Sequence, residues 1–171
     1  MALGADSDIS LNPFDLSDSS AEAVDQKIKF MTSLVELMTK EDEASGIGKL
    51  ERSEIEQSIK EILRGEQEPR LSHLRNKLLE NPEPALKRMG KILGPWVGDS
   101  PFGKFVDRKT NLKLTSSIVC FDLKGLESLP DLQAVCLFLI TDLIWREVQK
   151  DRINQKFVVF DECWKLIESG A

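Results

Sequence analysis

The sequence predicts an α/β chain with a large all-α part, in which a helical bundle precedes a βαβ unit with parallel strands. Two observations favour this fold class. Apolar residues recur at three- and four-residue steps through four segments between residues 19 and 93. Farther along, two continuous apolar runs at 116–123 and 156–161 flank a long helical segment, as buried parallel strands flank a crossover helix.

The first helix is predicted to begin near Ser19, because Ser19 and Glu22 have the spacing of an N-terminal capping box. Its apolar residues lie on one helical face and are typical of a core-facing stripe. They are Val24, Ile28, Met31, Leu34, Leu37 and Met38.

Three further amphipathic helices complete the predicted bundle. An acidic, glycine-bearing loop separates the first helix from the second, and Gly65 and Asn81-Pro82 mark later boundaries. Four helices with short connections indicate a small bundle. The three helices cover about 50–64, 69–80 and 83–93.

After Trp96 the sequence changes character. Glycine and proline mark a loop at 98–103, and the strand 116–123 (SSIVCFDL) follows. A helix is predicted at about 129–150, and the strand 156–161 (KFVVFD) comes next. Such a βαβ connection is expected to be parallel and right-handed.

Composition argues against direct nucleic-acid binding. The 171 residues include 23 basic and 29 acidic ones, a formal net charge of −6, whereas nucleic-acid binders are usually basic. The longest apolar run, 132–145, is too short and too polar for a transmembrane segment, so none is expected.

The histidine and the cysteines are not spaced in the sequence as metal ligands usually are. His73 is the one histidine and is expected to be an ordinary surface or half-buried residue. Cys120, Cys136 and Cys163 are widely spaced and each lies in an apolar stretch, which predicts buried, reduced thiols and a cytoplasmic location.

The strongest chemical signal is an acidic pair after the second strand. Four apolar residues, 157–160, run directly into Asp161 and Glu162, which is the Walker B arrangement. In that arrangement Asp161 holds Mg²⁺, and Glu162 orients and activates the attacking water. The alternative is that both are solvated carboxylates at the start of a loop or helix.

A phosphate-binding loop of the form G-x-x-x-x-G-K-[ST] is absent from the sequence. The nearest stretch, 46–50, has Glu43 at the first glycine position and Leu50 at the Ser/Thr position. The chain is therefore expected to be inactive by itself and to bind no ATP or other cofactor appreciably.

Four segments, in order, carry a family resemblance: SLNPFDL at 10–16, FGKFVD at 102–107, IVCFDLKGLESLPDLQAVCLFLITDLIW at 118–145 and FVVFDECWKLI at 157–167. Together they resemble the TraC-like ATPases of type IV secretion and conjugation. Family members usually have alanine after the Walker B glutamate, and Cys163 stands there instead.

The resemblance implies a RecA-like P-loop NTPase core with an all-α insertion. Residues 1–17 would be a core-derived loop or short strand, 18–97 the insertion, and 98–171 a partial core with the Walker B strand. The phosphate loop would lie upstream of this chain, and the arginine finger downstream.

The resemblance also implies how the longer enzyme works. It would be a hexamer that uses ATP and Mg²⁺, meets other secretion-system components and lies at the cytoplasmic side of the inner membrane. Glu162 would be catalytic and Asp161 a metal residue. Asp122, at the end of the neighbouring strand, would either touch the nucleotide site or be a loop carboxylate.

Two other functions remain open. In one, the chain is a non-catalytic module whose helical bundle binds a secretion partner, and Asp161 and Glu162 are inert. In the other, the chain belongs to a related DNA-pumping ATPase. A basic pore loop would favour the second alternative, and none is visible in the sequence.

Overall fold

The structure is a computed structural model that describes residues 2–4, 8–40, 46–112, 114, 116–150 and 153–161, with backbone alone for 2–4. Six α-helices and two short strands occur in this part of the chain. In chain order they are β1 (Ala2–Gly4), α1 (Ala21–Thr39), α2 (Lys49–Gly65), α3 (Leu71–Glu80), α4 (Pro84–Ile92), α5 (Gly103–Val106), β2 (Asp122–Gly125) and α6 (Pro130–Lys150). A 3-10 turn, Gly94–Trp96, follows α4.

The first helix begins one residue later than its sequence suggests. Ser20, not Ser19, is the N-cap, and its hydroxyl accepts a hydrogen bond from the Ala23 amide at 3.1 Å. The Asp18 carboxylate accepts from the Ser20 amide at 2.8 Å, which turns the chain just before the helix. The predicted capping box at Ser19 and Glu22 is therefore wrong by one position, because Asp18 orients Ser20 for the cap.

The four amphipathic helices predicted between residues 19 and 93 are confirmed, with bounds within two residues of those expected. Their apolar faces meet in the interior, where ten large side chains are almost fully buried. These are Met31, Leu34, Ile55, Ile59, Ile62, Leu71, Leu74, Leu78, Leu86 and Leu93. Burial of each such side chain stabilises the fold by about 1.5–3 kcal/mol before entropy is counted.

The helix predicted at 129–150 is also confirmed as α6, and Pro130 and Asp131 lie in its first turn. Its buried residues, among them Val135, Leu139 and Ile140, belong to the same apolar core as the bundle. Of the bundle helices, α1 has the largest contact with α6. The domain boundary expected near residue 97 stays a prediction.

The two strands form a parallel pair, with Ala2 opposite Asp122 and Gly4 opposite Gly125. The predicted strand 116–123 is therefore wrong in extent, since strand geometry begins only at Asp122. Ile118, expected inside a sheet, is 88% exposed.

The predicted strand 156–161 is wrong in this structure, because these residues are described and have no strand geometry. The βαβ unit is thus reduced to β2 and its following helix, α6. A strand with two buried faces needs neighbouring strands and covering helices. The described sheet offers β1 and β2 alone.

No helix in the described ranges combines the length and the apolar character needed to cross a lipid bilayer.

Candidate functional site

The predicted Walker B aspartate lies at the end of an exposed segment without regular secondary structure. Asp161 is exposed and in a turn, and Phe157 and Val159 before it are 88% and 86% exposed. Glu162 lies outside the described residues. The assignment of Asp161 to Mg²⁺ and of Glu162 to catalysis therefore stays a prediction.

Asp122 opens β2 and is exposed. Its carboxylate accepts a hydrogen bond from the backbone amide of Lys124 at 2.9 Å, which is a local turn contact. In the described part of the chain, no hydrogen bond or ion pair joins Asp122 to Asp161. Its place in a nucleotide site stays a prediction as well.

The described residues do not form a complete site for Mg²⁺ and ATP. Among them, no group of three or more His, Cys, Asp and Glu side chains is placed to hold a metal ion. The glycine-bearing stretch at 46–50 leads into α2, where Gly48 is the N-cap, and so belongs to the bundle. The structure gives no phosphate-binding loop in the ranges it describes.

Two of the segments that carry the resemblance meet in space, although about a hundred residues separate them. The Leu11 amide donates to the Phe105 carbonyl at 2.8 Å, and the Asn111 amide donates to the Ser10 carbonyl at 3.1 Å. The Ser10 amide donates to the Asn111 side chain at 2.9 Å. The segment 8–14 is thereby fixed against 105–111, which the separate motifs in the sequence did not predict.

Asn12 extends this contact to the bundle. Its amide donates to the Thr110 hydroxyl at 2.7 Å, and its side-chain nitrogen donates to the Pro69 carbonyl at 2.9 Å, just before α3. Its side-chain oxygen accepts from the Phe14 amide at 3.1 Å. One asparagine thus joins the N-terminal segment, the 105–111 segment and the α2–α3 connection.

Asp107 is a buried carboxylate that accepts hydrogen bonds from the backbone of two other segments. Its two oxygens accept from the backbone amides of Ser72 at 2.9 Å and Gly98 at 2.8 Å. The first contact satisfies a free amide at the start of α3, and the second holds the loop in which Gly98 has a φ of 62°. Asp107 therefore fastens the glycine-rich loop to the bundle.

A second buried charged group joins α1 to α6. The Lys27 Nζ lies 3.1 Å from the Asp142 Oδ2, and the Arg146 Nε lies 3.0 Å from the same oxygen. Burial lowers the pKa of the Lys27 ammonium below its ordinary value, and the Asp142 carboxylate acts in the opposite direction. A signal existed in the sequence, because Lys27 lies on the apolar face of α1 and Asp142 lies inside the apolar run 132–145.

His73 is half-buried, as expected. Its Nδ1 accepts from the Arg70 backbone amide at 3.1 Å, and its Nε2 lies 4.0 Å from Glu66. These residues line an open, polar concavity of about 540 Å³ at the α2–α3 connection.

The cysteines differ from one another. Cys136 is buried in α6, where burial raises the pKa of its thiol to about 12. Cys120 is exposed, so its predicted burial is wrong, because the strand expected around it does not form. Cys163 lies outside the described residues.

The fold is similar to a solved structure, VirB4 of Thermoanaerobacter pseudethanolicus, with a TM-score of 0.75. The match covers 98% of this chain and 49% of the VirB4 chain, at 17% sequence identity. At that identity the likeness concerns the fold alone, and this chain spans about half the length of the VirB4 chain. No protein-family model and no curated protein matches the sequence.

Proposed function

We propose that this chain is part of a type IV secretion ATPase, which uses ATP hydrolysis to drive substrate transfer or pilus assembly. The observation that carries the proposal is the fold likeness to VirB4, a type IV secretion ATPase, over nearly the whole of this chain. The likeness includes both the helical bundle and the region around α6, because 98% of the chain is covered.

Sequence and fold support the proposal independently. The resemblance to TraC-like ATPases rests on four sequence segments in a fixed order, whereas the likeness to VirB4 rests on backbone geometry at 17% identity. The hydrogen bonds between 8–14 and 105–111 add support, since two of the segments that carry the resemblance lie together in this fold.

The finer part of the proposal concerns the chemistry. In a longer polypeptide with a RecA-like core, Asp161 binds the metal–nucleotide complex and Glu162 acts on the attacking water. The phosphate loop and the neighbouring strands come from other parts of that polypeptide, and the working assembly is a hexamer that meets other secretion components. The 171-residue chain by itself is inactive under this proposal.

A non-catalytic interaction module is the second candidate function. The exposure of Asp161 favours it. A DNA-pumping ATPase has less support, because the chain has a net charge of −6 and no basic run.

The two candidates differ in one measurable property, the contribution of Asp161 to Mg-ATP binding. We expect calorimetric titration to give micromolar Mg-ATP binding by the longer parent protein and none by the 171-residue chain. We expect Asp161→Asn to weaken binding by the parent at least about tenfold, because it removes a magnesium-binding carboxylate.

Asp99→Asn is the matched control, since Asp99 is an exposed aspartate whose described partner is Arg108. If the Asp161→Asn variant of the longer protein binds Mg-ATP as tightly as its Asp99→Asn variant, the interaction module becomes the better interpretation.

A further inference from the structure

The joint between α1 and α6 contains a buried charge cluster. Its three members are Lys27 on α1 and Asp142 and Arg146 on α6, with side chains only 4%, 17% and 18% exposed. Both cations approach a single oxygen, Oδ2 of Asp142, at 3.1 and 3.0 Å. One carboxylate therefore holds a cation from each helix.

The cluster also extends beyond the two helices. A terminal nitrogen of Arg146 donates to the backbone carbonyl of Asp15 at 3.3 Å, which connects the segment before α1. The Lys27 ammonium lies 4.5 Å from the centre of the Phe30 ring, and Phe30 stacks on Phe138 of α6 at 4.9 Å. Charged and aromatic contacts thus converge on one short stretch of the joint.

Burial of three charged side chains is a poor source of stability. Each charge loses its hydration, and replacing such a cluster by apolar residues of similar size is often neutral or stabilising. The apolar faces of α1 and α6 would pack together without any charge. The Lys27 ammonium donates a hydrogen bond to this oxygen across the two helices, whereas the Arg146 Nε lies at ion-pair distance from it without a hydrogen bond. A hydrogen bond between the helices requires a narrow range of positions, which apolar packing does not impose.

We propose that Lys27, Asp142 and Arg146 form an orientation lock, which holds the helical bundle in one defined position on α6. The lock fixes the orientation of the bundle on α6 and adds little to the free energy of unfolding. It holds whether or not the longer protein hydrolyses ATP, so its test is separate from the test of the proposed function.

Distance measurement between spin labels tests the lock directly. Labels are placed on cysteines introduced at Ser53 of α2 and Gln149 of α6, both exposed, with Cys120 and Cys163 replaced by serine. Double electron–electron resonance then gives the distribution of distances between the label on α2 and the label on α6. Labelled chains are diluted with unlabelled chains so that distances within one chain are measured, and we expect one narrow distribution when the lock is intact.

The decisive variant carries Lys27→Met, Asp142→Leu and Arg146→Met. We expect an unfolding midpoint no lower than that of the unmutated chain, together with a distance distribution at least about twofold wider. The control replaces Glu61 and Lys77, whose ion pair joins α2 to α3 at 2.8 Å but is exposed, by Leu and Met. The control should leave the distribution unchanged.

Charge exchange provides a second test that does not depend on apolar replacement. Lys27→Asp with Asp142→Lys again gives the cluster one carboxylate and two cations, while each single change gives an unbalanced cluster. We expect both single variants to broaden the distribution and the exchanged pair to narrow it again. An apolar variant as narrow as the unmutated chain, or an exchanged pair as broad as its single variants, would overturn the proposal.

Discussion

At the scale of single residues, Asp142 differs from its partners because one of its oxygens serves two cations. If Asp142 is lost, Lys27 and Arg146 both lose the carboxylate with which they form their ion pairs. If Lys27 is lost, Asp142 keeps Arg146 at 3.0 Å. Loss of Asp142 is therefore expected to lower the free energy of unfolding much more than loss of Lys27.

Asp142→Asn is expected to lower the free energy of unfolding by about 3–5 kcal/mol, the usual cost of breaking a buried pair from one side. Lys27→Met is expected to change it by less than about 1 kcal/mol, because methionine fills the same space and needs no hydration. Urea unfolding at neutral pH measures both. Equal losses for the two variants would contradict this account of the cluster.

Some of these residues could be found in the sequence and others could not. The pair Asp161 and Glu162 is visible because an apolar run precedes it directly. The link between Lys27 and Asp142 joins residues 115 positions apart, and no local pattern reports such a separation. A charged residue on an apolar face shows that a partner is needed, but only the packing of α1 on α6 shows which one it is.

Among the connections between elements, the loop between the 3-10 turn and α5 leaves no room for a side chain at Gly103. A Cβ added at Gly103 would lie 2.5 Å from both the Gly98 carbonyl oxygen and the Val97 carbonyl carbon. These are backbone atoms, which cannot turn away as a side chain can. Asp107 holds the same loop through the Gly98 amide.

Gly103→Ala is therefore expected to destabilise the chain by about 1–3 kcal/mol, the usual range for overpacking. Gly65→Ala is the matched control, because a Cβ there meets nothing within 4 Å and Gly65 ends α2. We expect the control to be neutral or to stabilise by up to about 1 kcal/mol. Thermal unfolding of both variants checks this, and a neutral Gly103→Ala would show that the loop can shift.

The elements also show why helices and strands differ in predictability. The bounds of α1 to α4 and of α6 follow from an apolar period that each helix carries in its own residues. The apolar runs at 116–121 and 156–161 carry no comparable information, because a parallel strand forms only when its neighbours are present. The same apolar composition therefore predicts a buried strand, whereas residues 156–161 are all exposed and Val119 and Phe121 in the first run are only half-buried.

At the scale of the whole molecule, apolar surface is concentrated after α6. Phe157, Val158, Val159 and Phe160 are all exposed, and the described sheet has two short strands. Consecutive exposed apolar residues of high β-propensity favour pairing between chains. The 171-residue chain is therefore expected to self-associate through this segment.

Light scattering across a concentration series should show a mass that rises above that of a monomer. Changing Phe157 and Val159 to serine should reduce the association, because it removes the two most exposed apolar side chains of this segment. Leu50→Ser is the control, since Leu50 is 63% exposed but lies in α2. A strictly monomeric unmutated chain would show that this surface is covered in solution.

The ATP turnover of the longer protein carrying Glu162→Gln shows whether Asp161 and Glu162 form the Walker B pair of a secretion ATPase. Glutamine keeps the shape of the side chain but loses the basic carboxylate. We expect kcat to fall by about 10²-fold or more, with nucleotide affinity nearly unchanged. Near-normal turnover in Glu162→Gln would contradict this assignment and leave the interaction module as the better interpretation.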